Sequence, residues 1–109
     1  MPIQLIFKQA GPLPITQTFT APGDMPMYLE VNGSAWSQTP DVFLGVNIEL
    51  DGSEIGQLQL FSNGSGTHRA MVPAYVAIQL AQGQHTLTLS ATSGTASDYN
   101  DLYTAVLHY

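Results

Sequence analysis

Cysteine is absent from this 109-residue chain. Disulfide frameworks, thiolate metal sites and cysteine nucleophiles are thereby excluded. The redox compartment stays open, because secreted proteins can also lack cysteine. Positive charge is nearly absent too: Lys8 and Arg69 are the only Lys or Arg against eight carboxylates, for a formal net charge of -6. Such a chain cannot neutralise a run of phosphates, which argues against nucleic acid and anionic membrane surfaces as partners. Charged residues of either sign make up only 9%, where about 25% is usual in soluble domains. The surface must therefore be covered by Ser, Thr, Asn, Gln and Gly, or be hidden against other chains. Long apolar runs are missing as well. The opening stretch, MPIQLIFKQAGP, has no basic start and only a brief apolar run, so it reads as part of the fold and not as a signal peptide or membrane insertion. If the native chain starts there, an extracellular location would need lysis, a contractile injection device or another non-classical route.

What is present is alternation. The length predicts one domain, residues 1–109, large enough to bury a core without staples. Val42, Leu44, Val46, Ile48 and Leu50 point one way, and Phe43, Gly45, Asn47 and Glu49 the other. Asp51 and Gly52 then supply the positive-φ positions of a tight hairpin, with the returning strand at Ile55 to Phe61. Further strands are predicted at Ile3 to Lys8, Ile15 to Thr20, Met27 to Val31, Thr67 to Val72, Tyr75 to Leu80, His85 to Ala91 and Leu102 to Tyr109. Asn32-Gly33, Asn63-Gly64 and Gln82-Gly83 punctuate them, and no apolar stripe of period 3.6 occurs. Eight to nine short strands in one domain predict an all-β, antiparallel β-sandwich, most simply a jelly roll, with immunoglobulin-like Greek-key packing as the competitor.

The last strand bears on assembly. Leu102, Thr104, Val106 and His108 form one face, and Tyr103, Ala105, Leu107 and Tyr109 the other, so both sides are rich in apolar groups. A covered second face implies a homo-oligomer, with Leu107 placed at the interface between copies.

Enzyme signatures are missing. No G-x-S-x-G elbow occurs, and nothing singles out two of the eight acids as a hydrolytic pair. His68, His85 and His108 fall in separate segments without H-x-H or H-E-x-x-H spacing, so ordinary hydrogen bonding is expected of them. Arg69 offers a planar fork of donors, either to a ligand's hydroxyls or carboxylate or to an acid on a neighbouring chain. Trp36, the sole tryptophan, sits among small polar residues in GSAWSQTP and serves either as a sugar-stacking ring or as a core or interface anchor. With Tyr75 these form the candidate ligand-binding set. Asp98, Asn100 and Asp101 in DYND have two readings. They are a few hard oxygen ligands for calcium, which wants six to eight, or an Asx-type turn before the last strand. The turn is the favoured reading, with no cofactor.

GVNIELDGSEIG, HRAMVP, QGQHTLTLSA and DYND together give the last two thirds of the chain a resemblance to small bacterial and phage jelly-roll domains. These are related to the tumour necrosis factor and complement globular-head fold. The resemblance implies a homotrimer, of the kind found at fibre tips, with sugar sites in clefts between protomers. DYND before a final strand is also similar to the calcium-dependent soluble bacterial lectins. This chain departs from them in having no acid in the preceding SATSGTAS and no terminal glycine. The expected function is thus a non-enzymatic, lectin-like carbohydrate-binding recognition or adhesion module acting as a homo-oligomer, a trimer. The rival is a purely structural head or assembly unit of a phage-like or extracellular fibre.

Overall fold

The computed structural model describes residues 2–109. Ten strands follow in chain order: β1 (Ile3–Ala10), β2 (Ile15–Ala21), β3 (Met25–Asn32), β4 (Ser34–Ala35), β5 (Val42–Leu50), β6 (Ser53–Ser62), β7 (Arg69–Ala70), β8 (Ala74–Leu80), β9 (Gly83–Ala91) and β10 (Leu102–His108). The first sheet has the order β1-β10-β3-β8 and the second β2-β9-β5-β6, while β4 and β7 form a short ribbon of their own. Every pairing is antiparallel. Because β1, β3, β8 and β10 fall in one sheet and β2, β5, β6 and β9 in the other, the chain repeatedly crosses between layers. That winding is the jelly roll, and the fold is all-β as the alternation predicts.

The core is the interleaf between the two inner faces. Leu44, Val46 and Ile48 of β5 and Leu87 and Leu89 of β9 meet Leu29 and Val31 of β3 and Tyr103, Ala105 and Leu107 of β10, all fully buried. Burying each leucine or isoleucine contributes about 1.5–3 kcal/mol, so the ten buried among the described residues account for the choice of inner face.

The hairpin forms where the sequence places it. Asp51 and Gly52 have φ of 51° and 86°, the paired positive values of the turn whose twist matches its strands. A bulge follows: Glu49 pairs with Glu54, but Ile48 pairs with Gly56, leaving Ile55 without a partner. The one-residue shift turns Leu58 into the core and sends Gln57, Gln59 and Phe61 to the outer face.

Two expectations need correction. The strand expected over Thr67 to Val72 shrinks to Arg69–Ala70. Gly66 turns at a φ of 71° just before it, and the amide of Met71 leaves the ribbon to donate to the carbonyl of Gly33 at 2.8 Å. Leu107, expected between copies, lies in the chain's own core. The reason is the position of β10: it is an interior strand of the first sheet, flanked by β1 and β3, so its Tyr103–Ala105–Leu107 face must cover the second sheet. The face left to the surface is Leu102, Thr104, Val106 and His108.

Leu107→Asp is therefore expected to unfold the chain itself, since it places an unpaired carboxylate among fully buried side chains. Leu107→Ala should cost about 2–5 kcal/mol, read as a lower urea midpoint at unchanged slope. A Leu107→Asp chain that keeps its native circular dichroism and only changes its mass in solution would contradict this placement.

Candidate functional site

The acids of DYND are drawn into a corner where four segments meet. Asp101, at the start of β10, is buried. Its Oδ1 accepts from Ser34 Oγ at 2.7 Å and lies 2.8 Å from His68 Nδ1, and its Oδ2 accepts from the Asp98 amide at 2.9 Å. Asp98 accepts the Asn100 amide at 2.8 Å, an Asx turn. The other ring nitrogen of His68 lies 3.6 Å from Asp98 Oδ2. Hydrogen bonding to Asp101, then the negative charges of Asp101 and Asp98, holds the His68 imidazole above its ordinary range. Beneath them the Tyr103 hydroxyl donates to the Ser34 carbonyl and lies 3.0 Å from Ser97 Oγ, whose hydroxyl can donate to it. Burial pushes that phenol up to about 12, so it remains a donor throughout the physiological range.

One ligand atom each from His68, Asp98 and Asp101 lie within 4.8 Å of one another, and these are the residues able to hold a cation. The set replaces Asn100, which contributes its backbone amide to Asp98, with a histidine that spacing alone did not link to DYND. Protonated, His68 supplies positive charge between two carboxylates, the role an ion would otherwise fill.

The ligand set expected from the sequence divides between elements. Trp36 and Arg69 meet at the β4–β7 ribbon, where Ala35 pairs with Arg69 and Trp36 bridges to Ala96. The Trp36 ring packs against His68 with centroids 5.6 Å apart and planes tilted by 37°, and its Nε1 is buried without a hydrogen-bond partner among the described residues. Arg69 is half-buried and forms no ion pair among the described residues. Tyr75 lies apart from them, exposed on the outer face of the first sheet opposite Glu30.

The outer faces differ in chemistry. On the first sheet, Leu5, Val106, Glu30 and Tyr75 form one row, and Ile3, His108, Tyr28 and Ala77 the next. Ile3, Leu5, Tyr28 and Tyr75 are each more than half exposed. On the second sheet the rows are polar, with the cross-strand pair Phe43–Phe61 at one end and the paired carboxylates of Glu49 and Glu54 at the other. Sequence reasoning put Phe43 and Asn47 on this side but missed their cross-strand partners, because the bulge decides which residues of β6 face outward.

No family model matches the sequence, and no curated protein matches it. Solved structures do match in fold. A family 35 carbohydrate-binding module from Clostridium thermocellum is similar at a TM-score of 0.50 and 14% identity, over 95% of this chain and 86% of that one. The C-terminal domain of EclA, a sugar-binding protein, gives 0.53 and 17%, over 92% and 69%. The globular domain of zebrafish complement 1qA gives 0.53 and 12%, over 84% and 66%. The chain thus has the jelly-roll fold common to carbohydrate-binding modules and complement-type heads.

All three histidines pair with acids: His85 Nδ1 lies 2.6 Å from Asp51 Oδ2, and His108 Nε2 lies 2.8 Å from Glu30 Oε1. The bond to Asp51 holds His85 above its ordinary 6.5, and Asp51 is held below 3.8 chiefly by the same bond. His108, then Asn32, holds Glu30 below 4.5. Raised histidines stabilise fully below 6.5 and lose that contribution as pH rises through their folded values. Lowered acids stabilise above 4.5 and lose it as pH falls through theirs. The melting midpoint is therefore expected to be highest between pH 4.5 and 6.5 and to fall on both sides. A midpoint that climbs steadily from pH 6 to 9 in a buffer series would contradict the pairing.

Proposed function

We propose that this chain is a non-enzymatic carbohydrate-binding module that works as a homo-oligomer, a trimer, for recognition or adhesion. The observation that carries the sugar-binding part is a surface of amides, hydroxyls and exposed rings with little charge, built on a fold it shares with carbohydrate-binding modules. Neutral hydroxyl-rich ligands suit such a surface better than charged polymers do. Trp36 and Arg69 at the β4–β7 ribbon, and Tyr75, are proposed ligand contacts. In the Asp101 corner the Ser34 hydroxyl donates to the carboxylate that His68 also meets, and these hydrogen bonds join elements of the fold.

The oligomeric part rests on the first sheet's outer face. Ile3, Leu5, Tyr28, Tyr75 and Val106 place large apolar groups there around the Glu30–His108 pair, and large exposed apolar groups gathered on one face mark interaction surfaces. A second copy covers it, and Tyr75 then lies at the margin where two chains meet. The same face favours the rival reading, a structural head or assembly unit without a ligand.

Light scattering after gel filtration should give about three times the chain mass of 11.7 kDa, and Leu5→Glu should lower that mass with the fold intact. A glycan array should show saturable binding that persists in EDTA. A stable trimer that binds no glycan would leave the structural-head reading standing and remove the lectin; a monomer would remove the interface.

A further inference from the structure

The outer face of the second sheet carries a band of uncharged groups that core packing does not require. At one end Phe43 and Phe61 stand directly opposite each other, 69% and 48% exposed, with ring centroids 5.4 Å apart and planes at 71°. The next row is Gly45 and Gln59, and the one after it Asn47 and Gln57, with Ser90 of β9 beside Asn47. Rows two residues apart along a strand are spaced by about 7 Å, so the band runs on the order of 13 Å from the rings to Asn47. Glu49 and Glu54 close it at the far end.

The amides are already ordered. Gln57 Nε2 donates to Asn47 Oδ1 at 2.6 Å, and Gln59 Nε2 donates to Gln57 Oε1 at 2.9 Å. This relay fixes the three side chains while leaving the Asn47 amide protons and the Gln59 side-chain carbonyl without a partner among the described residues. Thr92 closes against Gly45, its Oγ1 donating to the glycine carbonyl at 3.1 Å. A Cβ on Gly45 would come within 2.6 Å of that oxygen, so the glycine is what lets the hydroxyl sit at the edge of the band. Exposed aromatic rings meet the C–H faces of sugars, and pre-ordered amides both donate to and accept from their hydroxyls.

We infer that the outer face of the second sheet is a glycan-binding surface, on which Phe43 and Phe61 stack a sugar ring and Asn47, Gln57 and Gln59 hydrogen-bond successive units of a neutral polysaccharide chain. The inference rests on the carbohydrate-binding reading above and gives it a place distinct from Trp36, Arg69 and Tyr75. It also assigns opposite tasks to the two layers, since this face points away from the apolar face of the first sheet.

Affinity gel electrophoresis in a soluble β-glucan, a xylan and a galactan tests it, with circular dichroism to confirm folding. The parent is expected to be retarded by at least one of the three. Phe43→Leu and Phe61→Leu keep apolar bulk but remove the ring, and each should weaken that retardation about tenfold. Phe43→Trp should restore it, whereas a purely structural cross-strand pair would show no such dependence on a ring. Gln57→Leu, which cuts the amide relay in the middle, should also weaken binding. If the parent is retarded and the folded Phe43→Leu/Phe61→Leu double variant is retarded equally, this face is not the site, while the carbohydrate reading survives. If no polysaccharide retards the parent, both fail.

Discussion

The carboxylate of Asp101 is the constraint on which the rest depends. A buried charge is costly unless paired and hydrogen-bonded, and Asp101 is satisfied when two distant pieces of chain, the Ser34 hydroxyl and the His68 imidazole, join the Asp98 amide of its own turn. Gly11 adds a further contact by donating its amide to the Asp101 carbonyl at 2.8 Å. These contacts pin the crossing from β3 through β4, the segment leading into β7 and the turn into β10. With that corner closed, Tyr103 drops into the core beneath Ser34, and Gly33 passes so near the ring that a Cβ there would overlap it. The acids that look like metal ligands in the sequence thus hold the jelly roll's crossovers together, with His68 as their counter-charge.

Once the corner and the interleaf are fixed, the two outer faces are free to diverge. One is largely apolar and packs against a neighbouring copy in the proposed trimer; the other is amide-lined, with aromatic rings at one end and Glu49 and Glu54 at the other. Because they lie on opposite sides of the sandwich, association through the first leaves the second facing outward on every copy. Several weak sugar contacts presented together gain avidity beyond any single one, which suits the open, shallow surface proposed for sugar on the second sheet.

The fold was largely legible. Alternation in β5, the Asp51-Gly52 turn and the regular spacing of turn residues led to a jelly roll, because each signal is local and physical. Assembly-level features were less so. Both faces of the last strand are apolar in sequence, and only the central position of β10 in its sheet shows that Leu107 faces inward. The bulge at Ile55 carries no marker in the residues, yet it sets Phe61 opposite Phe43 and so creates the aromatic end of the polar face. His68 and DYND are thirty residues apart in the chain, and nothing in their spacing announces that they meet. Asp98 and Asn100 were read as a turn, and the Asx bond to the Asn100 amide has that form.

The most direct measurement is an amide-resolved NMR titration of the intact protein with a neutral oligosaccharide. Shifts should concentrate at Phe43, Gly45, Asn47, Gln57, Gln59 and Phe61, with little change at the Asp101 corner. Shifts confined to His68, Trp36 and the DYND turn, with the second sheet silent, would contradict the assignment of its outer face to sugar.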